Sequence, residues 1–443
     1  MVEPLVVARA DHTISRRQID PDALKVLYRL RKFDHVAYLV GGGVRDLLLD
    51  RHPKDFDIGT SAHPYEVKRI FRNCWIIGRR FRLAHVRFGA KTIEVATFRR
   101  PAPAPDPATE AAADETAGQA APGAAGRRPP IRRDNTFGTP EEDAFRRDFT
   151  INALFYDIAT FAVIDYVGGL ADLQAGLIRS IGDPNERFVE DPVRMVRAVS
   201  FAARLGFRLH PAVRRAIARH NGEIANASPA RMTEELYKIL RSGVAARTYR
   251  ALLEVGLLSR VAPEVARGAA PALWRSLEAL DAYRTRFKST PGSLTNAVLL
   301  GSLATPVQPL DLTPRRRGGG GDANGGIALG RLPVARRDVE RLRQLLVLQP
   351  RLVDPGLTPR AQRAVLHRGA FDDAMTWLEI HGGDAHAHSR WRRLAAGGSS
   401  APAARRRRRR RPRRRAPSAP QQRLRDVDER QDDAGGGHDD QQE

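Results

Sequence analysis

The spacing of apolar and polar residues changes character along this chain. After a polar leader, a helix is expected over Pro21–Arg31, the pair filling residues 1–35. Val36, Tyr38 and Val40 are then apolar at every second position, the period of a strand. Short segments of the same kind predict strands at Asp55–Thr60, Cys74–Gly78, Leu83–Phe88 and Thr92–Phe98, with a helix at Pro64–Phe71. This alternation suits a small mixed sheet packed with helices.

Residues 101–130 are dominated by Ala, Pro, Gly and acidic residues and read as a disordered insertion. Order resumes near Ile131. Glu141–Ile158 is expected as one helix and Phe161–Tyr166 as a strand. From Glu190 onward the pattern is almost wholly helical. Helices are expected at Asp191–Leu205, Pro211–Arg219, Pro229–Arg241 and Ala245–Leu257, and near 272–285, 336–349 and 358–368. The Arg/Gly-rich stretch 314–326 breaks the pattern, as does everything after about Gly382. The fold class is therefore α+β: a mixed-sheet head (36–182), a helical neck (183–260), a helical body (261–382) and a disordered basic tail (383–443).

Charge sharpens this outline. The 443 residues carry a net +23 and a pI near 11.1. Ten arginines lie at 405–411 and 413–415, and setting them aside still leaves a net +13. A polyanionic partner follows, with nucleic acid first, because guanidinium forks pair with successive phosphates. The single cysteine, Cys74, excludes a disulfide framework and suits a reducing compartment. The first twenty residues lack the apolar run of a signal peptide, and no segment approaches the ~20 apolar residues of a membrane span. A cytoplasmic location is the expectation.

The most informative motif is LVGGGVRD at 39–46, followed by HPKDFDIGTS at 52–61. Gly41, Gly42 and Gly43 permit a sharp turn with exposed N–H groups, leading into a helix whose N-terminus favours anions. Asp55 and Asp57 are two apart, so on a strand both carboxylates face one way while Phe56 and Ile58 face a core. Paired hard oxygen ligands beside a phosphate-binding turn suit Mg²⁺ and nucleotide chemistry.

Two further clusters follow. In RRDFTINAL, a helix would bring Asp148 and Asn152 together with Arg147 on the adjoining face, a set that equally suits a surface ion-pair group. In VEDPVRMVRAVSFAARLGF, Asp191 and Arg194 are three apart on an expected helix, with Arg197 next along. An Asp acceptor beside an Arg donor matches the edge of adenine or cytosine and rejects guanine and uracil, although a plain helix ion pair has the same spacing. The 12 histidines show no paired ligand spacing, and neither a G-x-S-x-G elbow nor a G-x-x-x-x-G-K-[ST] loop occurs.

These three clusters, in this order, resemble the class II nucleotidyltransferases, the bacterial poly(A) polymerases and CCA-adding tRNA nucleotidyltransferases. YVGGLADLQAGLIRSIG resembles their linking segment and SPARMTEEL a neck helix. The segments IGRRFRLAHVRF and RRDNTFGTPEEDAFRRDFTIN resemble the poly(A) polymerase version. The resemblance implies that Asp55 and Asp57 hold two Mg²⁺ ions, that Gly42 and Arg45 contact phosphates, and that Arg147 contacts the nucleotide. It implies that Asp191 and Arg194 read the adenine edge with Arg197 in support. Asp148 is the first choice for a third catalytic carboxylate and Glu94 its rival. The implied activity is template-independent transfer of AMP from ATP to RNA 3′ ends, promoting RNA turnover, with RNA-degradation machinery as a further partner. CCA addition to tRNA is the first alternative, and a non-catalytic RNA-binding adaptor on the same fold the second.

Overall fold

A computed structural model describes residues 3–78, 82–100, 137–308, 310 and 327–398. The expected insertion at 101–130, the stretch 314–326 and the arginine run lie outside these residues. Up to Ala395 the chain forms one compact unit.

The head is built on an eight-stranded mixed sheet: β1 (Leu5–Val7), β2 (Ala37–Val40), β3 (Asp57–Thr60), β4 (Cys74–Ile77), β5 (Leu83–Phe88), β6 (Lys91–Thr97), β7 (Leu154–Asp157) and β8 (Ala162–Asp165). Their spatial order is β1-β8-β7-β2-β3-β6-β5-β4, and β3–β6 is the parallel pair among them. The polar leader therefore contributes an edge strand, Leu5–Val7, paired antiparallel with β8. In β2 both faces are used. Ala37 and Leu39 enter the main core, while Val40 joins a smaller one with Phe98, Phe155 and Ile181, against which Tyr38 packs. Val36, expected in the strand, precedes it and is exposed.

Local chemistry explains several element starts. Asp20 caps helix Pro21–Lys32 by accepting from the N–H groups of Asp22 and Ala23, with proline at the first position. Thr139 and Glu142 form a capping box for helix Pro140–Phe145. This short helix corrects the expectation of one helix over Glu141–Ile158: it ends at Phe145, a 3₁₀ turn follows at Thr150–Asn152, and the chain then enters β7. The run Leu154–Tyr156 is buried on both faces inside the sheet, so its apolar continuity gives no helical period to read.

Beyond the head, a parallel pair, β9 (Leu177–Ile178) and β10 (Arg208–Leu209), ties the linking segment to the end of helix Val193–Leu205. Helices then follow at Pro211–His220, Pro229–Leu240, Ala245–Glu254, Pro271–Thr285, Asn296–Ala304, Arg336–Val353 and Pro359–Leu366, with shorter ones between. One apolar core runs continuously from Ile14 in the head to Trp391. The tail was expected to be disordered from 383, yet Ala385–Gly398 is a helix. Trp391 anchors it, fully buried against Phe371, its indole N–H donating 2.8 Å to the Leu352 carbonyl. No helix among the described residues is long and apolar enough to cross a membrane.

Candidate active site

The site forms where β2 ends. Gly41 adopts φ +73°, a conformation that favours glycine, and helix Gly42–Leu48 starts immediately after it. A Cβ on Gly41 would stand 2.9 Å from Nη1 of Arg147, so the missing side chain also makes room for that guanidinium. Asp57, the first residue of β3, lies opposite Val40 in the ladder. An open cleft of about 420 Å³ brings Gly42, Asp57, Arg147, Asp148 and Arg197 together.

Asp55 is placed differently from its expected position. The ladder of β2 stops at Val40, so the residues before Asp57 have no strand to pair with and Asp55 lies outside β3. Its carboxylate is 72% exposed and stands 3.5 Å from Lys54 Nζ. The strand alternation expected to align the two acids is thus absent, although Asp55 remains close enough to raise the pKa of Asp57. Asp57, surface-exposed at the edge of the cleft, is pushed up to about 6, first by desolvation from its neighbours and then by Glu94 and Asp55, with Arg147 opposing. Glu94 sits beside Asp57 because the parallel register pairs Ile58 with Val95. Hard carboxylate oxygens that repel one another at one point suit a divalent cation. They are not prearranged as a cage: no group of three His, Cys, Asp or Glu poised to hold a metal occurs among the described residues.

Asp148 has a different environment. Its Oδ2 accepts from Nε and Nη2 of Arg197 at 2.9 and 2.7 Å, and its Oδ1 from the Asn152 amide at 3.1 Å and the Phe149 N–H at 2.9 Å. Burial alone would raise its pKa, but Arg197 and these hydrogen bonds hold it below the usual carboxylate range. Both oxygens are already engaged. The Asp148–Asn152 contact expected of a helix is therefore made by a 3₁₀ turn. Arg147 spans Asp143 (2.9 Å) and the Asn152 carbonyl (3.1 Å), with its guanidinium above the Phe155 ring. Arg45 also lines the cleft, but it is largely buried and committed to Asp46 (2.6 Å) and Asn152 (2.5 Å).

The expected Asp191–Arg194 pair is not formed. Asp191 is extended at the end of helix Pro184–Glu190, and Pro192 begins the next helix without a side-chain cap. Asp191 accepts both Nη groups of Arg231, at 3.1 and 2.8 Å, from helix Pro229–Leu240. Arg194 instead donates to Glu190 at 2.7 Å. Neither residue lines the cleft, whereas Arg197 does.

The sequence reading missed Phe201 and Arg204, which complete the cleft wall together with Arg146 of the RRDFTINAL cluster. The guanidiniums of Arg45, Arg197 and Arg204 lie 5.5, 5.2 and 5.0 Å from the centre of the Phe201 ring. Arg204 is pulled down to about 10 by desolvation and by its cationic neighbours. Spacings of four and three from Arg197 to Phe201 to Arg204 put the three on one helical stripe, a signal that was available in the sequence.

Comparison with known proteins fits this geometry. Residues 37–179 match the poly A polymerase head domain family, and residues 206–268 match a family described as the probable RNA and SrmB-binding site of polymerase A. Poly(A) polymerase I of Salmonella typhi is 50% identical over 262 residues, 59% of this chain and 54% of that protein. A CCA-adding enzyme of Bacillus velezensis is 36% identical over 239 residues, 54% of this chain and 55% of its own length. The chain therefore spans about half the length of these curated relatives. In structure it resembles the Bacillus stearothermophilus CCA-adding enzyme in complex with CTP, with a TM-score of 0.57 at 27% identity, covering 86% of this chain and 83% of that one.

Proposed function

Because the chain belongs to the class II nucleotidyltransferase family, we propose that it is a template-independent poly(A) polymerase. In this reading the RNA 3′-hydroxyl displaces pyrophosphate from the α-phosphorus of ATP. The observation that carries it is the 50% identity to a poly(A) polymerase over 262 residues, against 36% to a CCA-adding enzyme over 239. The reaction needs positioning and charge neutralisation more than covalent catalysis, which suits a cleft lined by acids and arginines.

Asp57 and Asp55 are the residues that would hold Mg²⁺, with Glu94 as the third carboxylate. Asp148 is the weaker choice for that role, since Arg197, Asn152 and the Phe149 amide already occupy it. When bound there, two ions supply activation of the hydroxyl and neutralisation of the triphosphate. Gly42 offers its backbone to phosphate and Arg147 its exposed edge to the nucleotide. Asp191 and Arg194 read the adenine edge once ATP competes with Arg231 and Glu190 for them. RNA 3′ ends are the acceptors in the cytoplasm, and RNA turnover, through contact with degradation machinery, is the consequence.

CCA addition remains the second reading, on the observation that the solved CCA-adding enzyme shares the fold over 86% of this chain. Offering ATP or CTP separately, with a generic RNA and with a tRNA lacking its CCA end, distinguishes them. Efficient ATP use on the generic RNA supports poly(A) synthesis, whereas CTP use confined to the truncated tRNA overturns it.

A further inference from the structure

The cleft lies on one side of Asp57, and on the other side the same face of the sheet carries half-exposed side chains among the described residues. The ladder registers place a row of residues across it. Val40 is opposite Asp57, Asp57 neighbours Glu94, Glu94 is opposite His85, and His85 is opposite Trp75 on the edge strand β4. The row has two different halves. Toward β2 and β7 it is roofed, with Val40 and Phe155 in the small core and Arg147 above Phe155. Toward β4 it is open: Trp75 is 52% exposed and Ile77, next on the same face, 51%. The opposite face of these strands is closed, with Cys74, Ala84, Val86, Ile93 and Val95 all buried.

We propose that the open face of β6, β5 and β4 is the seat of the RNA primer strand, with one of its last bases stacked on Trp75. Three observations select single-stranded nucleic acid. The row leads directly from Trp75 to Asp57 over three inter-strand spacings of ~4.8 Å, so a strand with its 3′-hydroxyl at Asp57 reaches Trp75 with a nearby base. Arg87, exposed two residues beyond His85 on the same face, supplies a cation to the backbone. The two reactants must also approach Asp57 from different sides, and the arginine-lined cleft already takes the triphosphate side. A flat aromatic ring accepts any base, in keeping with sequence-independent binding. This assignment rests on the polymerase reading for its direction, with the 3′ end toward Asp57, but not for RNA binding itself.

The test uses the full-length protein, oligoadenylate binding without ATP, and steady-state AMP transfer. Trp75→Ala weakens oligoadenylate binding roughly ten-fold and raises the KM for primer in parallel, leaving the KM for ATP unchanged. Trp75→Phe, which keeps a stacking surface, restores most of the binding. Wild-type affinity in Trp75→Ala overturns the proposal and leaves the face to a protein partner. An equal loss in Trp75→Phe and Trp75→Ala also overturns it, since stacking would not be the cause. Should the wild type transfer no AMP at all, the polymerase reading fails, while the binding measurement still decides whether RNA occupies this face.

Discussion

Arg197 holds Asp148 through two donors on one carboxylate oxygen, at 2.9 and 2.7 Å, joining the neck helix to the loop before β7. The same guanidinium also meets Glu235, 3.4 Å away. Asp148 is well shielded, so removing its partner leaves an uncompensated charge near the cleft. Arg197→Ala is expected to cost about 3 kcal/mol of stability. Arg197→Lys, which keeps charge but loses the fork, is expected to cost less. Chemical denaturation of the two variants checks this, and equal loss in both would show that the fork geometry is irrelevant.

Glu94 and Asp148 separate by what each substitution breaks. Glu94→Gln is expected to lower turnover at least about 10²-fold with unchanged thermal unfolding, since its side chain is half exposed. Asp148→Asn is expected to lower the melting temperature, because it removes the charge facing Arg197 and leaves one acceptor oxygen where two now serve Arg197, Asn152 and the Phe149 N–H. Paired turnover and unfolding measurements on both variants would reverse the assignment if Asp148→Asn stayed fully stable and inactive.

Gly41→Ala tests the turn. The added methyl would fall 2.9 Å from Arg147 Nη1 in a residue held at φ +73°. The backbone conformation alone costs about 1–3 kcal/mol, and the displaced guanidinium is expected to raise the KM for ATP more than it lowers kcat. A variant with wild-type KM would show that Arg147 does not meet the nucleotide.

His381 gives the body a pH dependence. Desolvation lowers its pKa from 6.5 to about 4, with Nε2 2.9 Å from Ser302 Oγ and the ring against Trp377. Between these two values the unfolded chain binds a proton that the folded chain refuses, so stability falls as pH drops from about 6.5 to 4. The loss amounts to up to about 3 kcal/mol and does not grow below that range. Unfolding free energies of the wild type and His381→Gln, compared from pH 7.5 to 4, should converge or cross as the pH falls. Parallel curves would exclude His381 as the source.

The sequence carried much of this architecture where one face of an element is wet. Helix Pro229–Leu240 and strand β5 matched their expected spans to within a residue, because apolar positions recur at the proper period. Helix Asn296–Ala304 was invisible for the opposite reason: every residue from Ala297 to Ala304 is buried, so no polar stripe marks its period. At the site, Gly42, Arg45, Asp57, Arg147, Asp148 and Arg197 were named and do share the cleft. Asp191 and Arg194 were joined by spacing alone. Spacing does not disclose that Arg194 turns to Glu190, or that Arg231, 40 residues on, reaches back to Asp191.

The central claim is adenylyl transfer at the Asp57 cleft, and incorporation of labelled AMP from ATP into an oligoadenylate primer, measured for the wild type and Asp57→Ala, tests it most directly. The account predicts steady primer extension by the wild type and a loss of at least about 10²-fold in Asp57→Ala, with primer affinity retained. Extension by Asp57→Ala at the wild-type rate would contradict it.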